Sequence, residues 1–236
     1  TTAPQSSLGG AAALSMDAAN VYVTGYTSNA VTTFTRGAGG ALTQTGCVSH
    51  EAISGCTTAP QSSLARPGGE SMDAANVYVT SEGTDSVTTF TRGAGGALTQ
   101  TGCISQEEIS GCTTAPQSSL NNPNGVSVDA ANLYVTSRTS GSVTTFTRGA
   151  GGELTQTGCI SQEEISGCTT APQSSLDGAT GVRMDAANLY VASETSDSVT
   201  TFTRGVGGEL AQTGCISQAV ISGCTTAPQP SLNGAV

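Results

Sequence analysis

Short runs of β-branched and aromatic residues, each ended by a cluster of Gly, Asp, Asn or Ser, recur along the whole chain. The stretch 113–168 shows the pattern. Gly125-Val126-Ser127-Val128 reads as a short strand and Asp129-Ala130-Ala131-Asn132 as a turn. Leu133 to Ser137 is a second strand, Arg138 to Gly141 a polar turn, and Ser142 to Arg148 (SVTTFTR) a third strand of good β-formers. Gly149-Ala150-Gly151-Gly152 must turn, and Leu154 to Ser161 is a fourth strand. A long loop follows from Gln162. Turns of this length make sequential strands antiparallel neighbours.

This unit repeats with a period of 56 residues. The octet TTAPQSSL starts at Thr1, Thr57, Thr113 and Thr169, and the variant TTAPQPSL at Thr225. Four full repeats result, 1–56, 57–112, 113–168 and 169–224, followed by a stub, 225–236. Because the octet otherwise introduces a repeat, the stub reads as a linker or the first piece of a further unit. A lone four-stranded sheet exposes both faces, and sheets stacked about an axis bury them. The expectation is an all-β protein: a β-propeller of four 56-residue, four-stranded antiparallel blades, standing alone or as one bead of a tandem array, a piece of a larger ring being the alternative. A β-solenoid is the rival, disfavoured by the hairpin glycines.

Eight cysteines fall in pairs of constant spacing: Cys47 and Cys56, Cys103 and Cys112, Cys159 and Cys168, Cys215 and Cys224. The gap is too wide for the usual Cys-x-Cys zinc pairs, and His50 is the sole histidine. Each pair is therefore read as a disulfide within its own repeat. A loop of this size is worth roughly 2–3 kcal/mol in the chain-entropy picture. Such bonds point to an oxidising, extracellular or cell-surface setting.

The formal net charge is −10, with seven arginines and no lysine. That composition supplies no basic face for a nucleic acid, and no apolar run reaches the length of a membrane span. Trp is absent. One Tyr (Tyr22, Tyr78, Tyr134, Tyr190) and one Phe (Phe34, Phe90, Phe146, Phe202) recur in every repeat. Such once-per-repeat aromatics are expected to pack between blades, the alternative being a platform for stacking sugars.

Candidate chemistry is sparse. The positions matching His50 are Gln106, Gln162 and Gln218, so His50 reads as an exposed loop residue, and the many serines have no evident base. Asp17, Asp73, Asp129 and Asp185 recur just after the first strand. They are candidates for a Ca²⁺ site if aimed inward, but are read first as caps of their turns. Glu51, Glu107, Glu108, Glu163 and Glu164 fall irregularly inside the cysteine loops and read as solvated surface. Variation between repeats concentrates at Ala65–Glu70, Asn121–Val126 and Asp177–Arg183, and in the turns between second and third strands, such as Ser81 to Asp85 and Ser193 to Asp197.

The strands Val21-Tyr22-Val23-Thr24, Val77-Tyr78-Val79-Thr80 and Leu133-Tyr134-Val135-Thr136, each following an Asp-Ala-Ala-Asn turn, resemble the YVTN-type β-propeller repeat of secreted and surface-layer proteins. They also resemble the bacterial lactonase-like propellers. The fourth repeat departs from the pattern with Ala192, the customary Asn is missing throughout, and the repeat is long for a blade. No catalytic His or acid–base set of that family matches this chain, so the resemblance brings no activity with it. The expectation is accordingly a non-enzymatic extracellular scaffold forming a fibre, surface layer or adhesive stalk. A binding module for glycans or a protein partner comes next, and a lactonase-like hydrolase last. No catalytic or cofactor-binding residue is expected, and Ca²⁺ is the one candidate ion. Partners would be further copies or adjacent repeats, without nucleic acid or membrane insertion.

Overall fold

A computed structural model describes residues 5–229 and 231–234. The start of the first octet and parts of the 225–236 stub lie outside the described residues. Every repeat makes one sheet. The first sheet holds β1 (Ala11–Met16), β2 (Asn20–Gly25), β3 (Ala30–Arg36), β4 (Leu42–Ser49) and β5 (Thr57–Thr58) in sequential order. The second holds β6 (Pro67–Met72), β7 (Asn76–Ser81), β8 (Ser86–Arg92), β9 (Leu98–Ser105) and β10 (Thr113–Thr114). The third is β11 (Pro123–Val128), β12 (Asn132–Ser137), β13 (Ser142–Arg148), β14 (Leu154–Ser161) and β15 (Thr169–Thr170). The fourth is β16 (Ala179–Met184), β17 (Asn188–Ser193), β18 (Ser198–Arg204), β19 (Leu210–Ser217) and β20 (Thr225–Thr226). In each sheet four antiparallel strands make a β-propeller blade and a two-residue fifth strand lies parallel at its edge, and each is closed by a disulfide: Cys47–Cys56, Cys103–Cys112, Cys159–Cys168 and Cys215–Cys224.

The short fifth strand was not legible as one. Thr57 and Thr58 lie parallel beside Val48 and Ser49, and the same pairing recurs in the other three sheets. The octet therefore begins on the outer edge of one blade. It ends inside the next, where its second serine is fully buried. Ser63 Oγ lies 2.7 Å from Thr88 Oγ1 and accepts from Gln100 Nε2 at 3.0 Å. Ser7, Ser119 and Ser175 make the same trio in their own blades. The octet recurs because both of its ends have a fixed seat.

The chain divides into two compact units. Unit 1 comprises residues 1–114 with 149–154, and unit 2 comprises 115–148 with 155–236. In unit 1 the core lies between the first two blades. Tyr22, Val31 and Val48 meet Leu64, Val77, Val79 and Phe90, with Met72 and Leu98 at its margin. In unit 2 the corresponding core joins the last two blades: Tyr134, Val143 and Ile160 against Leu176, Val182, Leu189, Val191 and Phe202, with Met184 and Leu210 at the margin. Tyr22, Tyr78, Tyr134 and all four Phe are buried, which makes them packing residues.

In the second and third blades the second strand, β7 and β12, is covered on both faces, so it reads as a run of β-formers with no exposed side. The second-strand Thr is buried because its hydroxyl has partners. Thr24 Oγ1 accepts from Ala13 N at 2.9 Å and donates to Gly68 O in the neighbouring blade at 3.1 Å. Thr136 does the same with Gly125 N (3.0 Å) and Thr180 O (2.8 Å).

Candidate functional site

The four repeated aspartates take up a structural task. Asp17 Oδ1 accepts from Ala19 N at 2.7 Å and Asn20 N at 2.6 Å, closing the turn between β1 and β2. Asp73, Asp129 and Asp185 cap the matching turns. In Asp17 and Asp129 the other oxygen serves the neighbouring blade, whereas Asp73 Oδ2 and Asp185 Oδ2 accept from the tyrosine of their own blade, Tyr78 and Tyr190. Arg92, at the end of β8, binds its own turn through Asp73 O (2.9 Å) and Ala74 O (3.0 Å). It then crosses to pair with Asp17 Oδ2 and to donate to Tyr22 Oη at 3.0 Å, its guanidinium 5.3 Å from the ring centroid. In unit 2, Arg204 pairs with Asp129 in the same way and lies 5.7 Å from the Tyr134 ring. Burial opposes ionisation of Asp129, but the N–H groups of Ala131 and Asn132 and the Arg204 charge outweigh it and hold its carboxyl low. Among the described residues Asp185 has no such arginine. The N–H groups of Ala187 and Asn188, with the Tyr190 hydroxyl, bring its pKa down to about 2. These carboxylates are committed to backbone N–H groups, with a guanidinium at Asp17 and Asp129 and a tyrosine hydroxyl at Asp73 and Asp185. Among the described residues no three His, Cys, Asp or Glu side chains come together as a metal site.

The cysteine-loop acids Glu51, Glu107, Glu108, Glu163 and Glu164 are all exposed. Asp85 and Asp197 occupy the left-handed corner of the turn between second and third strands, where Asn29 and Gly141 stand in the other blades. His50 is half-buried rather than exposed, its N–H held by Asn29 O at 2.8 Å and its Nδ1 buried without a hydrogen bond.

Two features of unit 1 break the repeat. The first is Glu70, on the innermost strand of the second blade, where the other blades have Leu14, Val126 and Val182. It is 7% exposed. Its Oε1 accepts from Ser15 Oγ of β1 at 2.6 Å, while Oε2 is buried without a hydrogen-bond partner. Burial raises the Glu70 pKa to about 8, and the Ser15 hydrogen bond only partly offsets it. Burial, then the Glu70 charge, also push the Tyr22 phenol up. Glu70 and Ser15 thus form a carboxyl–hydroxyl pair that is protonated at neutral pH and can exchange a proton just above it.

The second feature is an open groove of about 560 Å³ at the entry end of β6, lined by Tyr26, Asn29, Ala65, Arg66 and Gly83. Tyr26 Oη donates to Glu82 Oε2 at 2.7 Å. Arg66 has φ +52°, where Gly10, Asn122 and Gly178 stand in the other blades. A side chain as large as Arg costs about 1–2 kcal/mol in that conformation, a strain of the kind found at functional sites. Glu70 lies four residues along β6 from Arg66, about 13 Å at strand rise. Glu70 and Arg66 both stand within Ala65–Glu70, the segment the repeats mark as variable. A search for histidine or for one acid per repeat passes over a residue that occurs once.

Comparison with known proteins adds the family. Residues 2–220 match the family described as "Lactonase, 7-bladed beta-propeller". Among solved structures, a protein from Lactobacillus plantarum aligns at 18% identity and TM-score 0.64, covering 86% of this chain and 56% of the other. A putative 6-phosphogluconolactonase from Bacteroides uniformis aligns at 14% identity and TM-score 0.61, covering 86% and 53%. The periplasmic gluconolactonase of Pseudomonas aeruginosa aligns at 15% identity and TM-score 0.55, covering 91% and 54%. At these identities the likeness is one of fold, and the chain spans little more than half the length of each. Comparison with curated proteins gives no match. The family match overturns the reading of this chain as a non-enzymatic fibre, surface-layer or stalk scaffold. That reading rested on the near-identical repeats, the incomplete fifth repeat, the disulfides and the lack of a recognisable catalytic set; Glu70, a buried carboxyl off the repeat pattern, was not weighed in it. With nearly its whole length matched, the chain belongs to the lactonase family of seven-bladed β-propellers.

Proposed function

We propose that the chain contributes to a hydrolase that opens a cyclic ester of the sugar-acid lactone type, with Glu70 as its proton-transfer group. The observation that carries this is the Glu70–Ser15 pair: a carboxyl on an innermost blade strand, one oxygen oriented by a hydroxyl and the other uncommitted. Ionised Glu70 takes a proton from water as its oxygen adds to the lactone carbonyl carbon. The ring C–O bond then breaks, its electron pair passes to the ring oxygen, and that oxygen takes the proton back from Glu70. The product is the open hydroxy acid, with the atoms of one water added. Ser15 acts as a positioning residue that fixes the carboxyl rotamer. The groove lined by Tyr26, Asn29 and Arg66, with Glu82 bonded to the Tyr26 hydroxyl, offers hydrogen-bonding groups of the kind a polyhydroxylated substrate meets on approach. Four disulfides support a setting outside a reducing compartment, and we assign the activity to the extracellular side.

The test is acid release from gluconolactone as a function of pH. The rate above the spontaneous one should rise through a limb near the Glu70 pKa of about 8. Glu70→Gln should lose that limb and roughly 10²–10⁴-fold in rate. Glu70→Gln running at the wild-type rate with the same pH profile would remove Glu70 from the reaction.

A further inference from the structure

The junction between the first two blades carries residues off the repeat pattern at two levels, and every residue involved belongs to unit 1. The near level is the pair of Glu70 and Ser15. At the far level Tyr26 and Arg66 line the groove, and Glu82 accepts from the Tyr26 hydroxyl. Tyr26 is the one tyrosine outside the packing set; it stands where the other blades have Glu82, Arg138 and Glu194. The two walls give the same separation independently. On the first blade Ser15 lies opposite Tyr22 in the ladder, and Tyr26 follows four residues later. On the second, Glu70 lies opposite Val79, three residues before Glu82. At about 3.3 Å per residue the levels are roughly 10–13 Å apart. Between them the inner strands carry only Ala11 to Ala13 on β1 and Pro67 to Gly69 on β6.

The far level suits hydroxyl groups rather than a second anion. Tyr26 Oη donates to Glu82 Oε2 at 2.7 Å. That bond, then burial and the Glu82 charge, raise the Tyr26 phenol, while the charge and hydrogen bond of Arg66 draw it the other way. A guanidinium and a carboxylate thus flank one phenol, and their charges offset. Arg offers donors, Glu offers acceptors, and Tyr adds a ring face, the combination that meets the hydroxyls and C–H face of a sugar. The walls are fixed in advance. Asn29 Oδ1 accepts from Arg66 N at 2.8 Å across the junction, and Thr24 Oγ1 donates to Gly68 O at 3.1 Å. The groove, about 560 Å³, has the size of an ordinary ligand cleft.

A single lactone ring cannot engage both levels. Four bonds of about 1.5 Å carry it across roughly 5–6 Å, half the separation. A second ring joined through a glycosidic oxygen covers the remainder. We infer that the substrate is the lactone of a disaccharide acid, its lactone ring at Glu70 and its uncharged sugar ring in the groove of Tyr26 and Arg66, an inference that rests on the reading of Glu70 as the proton-transfer group. Tyr26 and Arg66 are then specificity-determining residues. They hold a part of the substrate remote from the reacting carbon, and that binding raises kcat/KM.

The test is hydrolysis of three lactones by the intact chain, each corrected for its spontaneous rate: gluconolactone and the δ-lactones of cellobionic and maltobionic acids. At least one disaccharide lactone should give a kcat/KM about tenfold or more above that of gluconolactone. Arg66→Gly introduces the residue that Gly10 and Gly178 supply at the same position, so it keeps the fold. It should cut the ratio of disaccharide lactone to gluconolactone at least about fivefold. Ratios near one for both disaccharide lactones, or a ratio unchanged in Arg66→Gly, overturn the inference and leave Glu70 in its role. No enzymatic hydrolysis of any lactone instead removes the Glu70 reading, and product binding then decides whether the groove takes a sugar ring. In calorimetric titration cellobionate or maltobionate should bind at least about tenfold more tightly than gluconate. Equal affinities overturn the inference there too.

Discussion

Replacing Glu70 by Val, the residue that Val126 and Val182 supply at the same position, should change how stability depends on pH. The sign follows from linkage. Below pH 4.5 the carboxyl is protonated in both folded and unfolded chains. Between 4.5 and about 8 the folded chain keeps the proton and the unfolded chain releases it, so stability falls as pH rises. Above about 8 both are ionised and the loss is complete. Across that interval of about 3.5 pH units, at 1.36 kcal/mol each, the ceiling is about 5 kcal/mol. Solvent penetration and relaxation around the charge bring a measured value below it. The assay is urea unfolding at a series of pH values from 4 to 9, with disulfides intact, comparing wild type with Glu70→Val. Every other titrating group is common to both proteins, so the difference between the curves isolates Glu70. Wild type should lose at least about 1.4 kcal/mol relative to the variant between the ends of the range. The variant should be the more stable protein at high pH. Parallel curves would mean that Glu70 is solvated in solution, and the reasoning about its proton would fail with them.

Two further predictions separate the junction from the blade. Arg92→Met should cost about 2–3 kcal/mol in unfolding free energy, because it strands Asp17 and the buried Tyr22 hydroxyl together. Arg36→Met, with no ion pair to lose, should stay within about 0.5 kcal/mol. Gly40→Ala and Gly96→Ala both place Ala at φ +80°, so they share the cost of a left-handed residue. Only Gly96→Ala adds a contact with Asn20, and its unfolding midpoint should correspond to at least about 1 kcal/mol of extra destabilisation. Equal shifts for the two glycines would show that the blades do not meet at Asn20.

The period, the strands and the disulfides were legible because each is written four times. Strand boundaries fell within a residue or two, since Asp-Ala-Ala-Asn and the Gly clusters stop the chain by local backbone chemistry alone. The two-residue strands Thr57–Thr58 and Thr113–Thr114 were not legible. Nothing local marks them, and they exist only because the preceding blade offers an open edge. The half-buried position of His50 was missed for the same reason: its environment is supplied by Asn29, far away in sequence.

Repetition also misdirected the search for chemistry. A residue found once per blade is usually part of what makes each blade fit the next, as the clasps of Arg92 on Asp17 and Arg204 on Asp129 show. The informative positions are those where one repeat gives up what its siblings keep. Glu70 forgoes a buried apolar side chain, and Arg66 forgoes a residue at ease with positive φ. Neither substitution improves the fold of its blade: one buries a carboxyl against its hydration, the other strains the backbone. Both fall in one blade, on one strand and its approach, in a family of lactonases. Single departures occur in other blades too, His50 in the first and Ala192 in the fourth, but the second blade alone joins a buried carboxyl to a strained approach, and that pairing is the argument for proposing the site there.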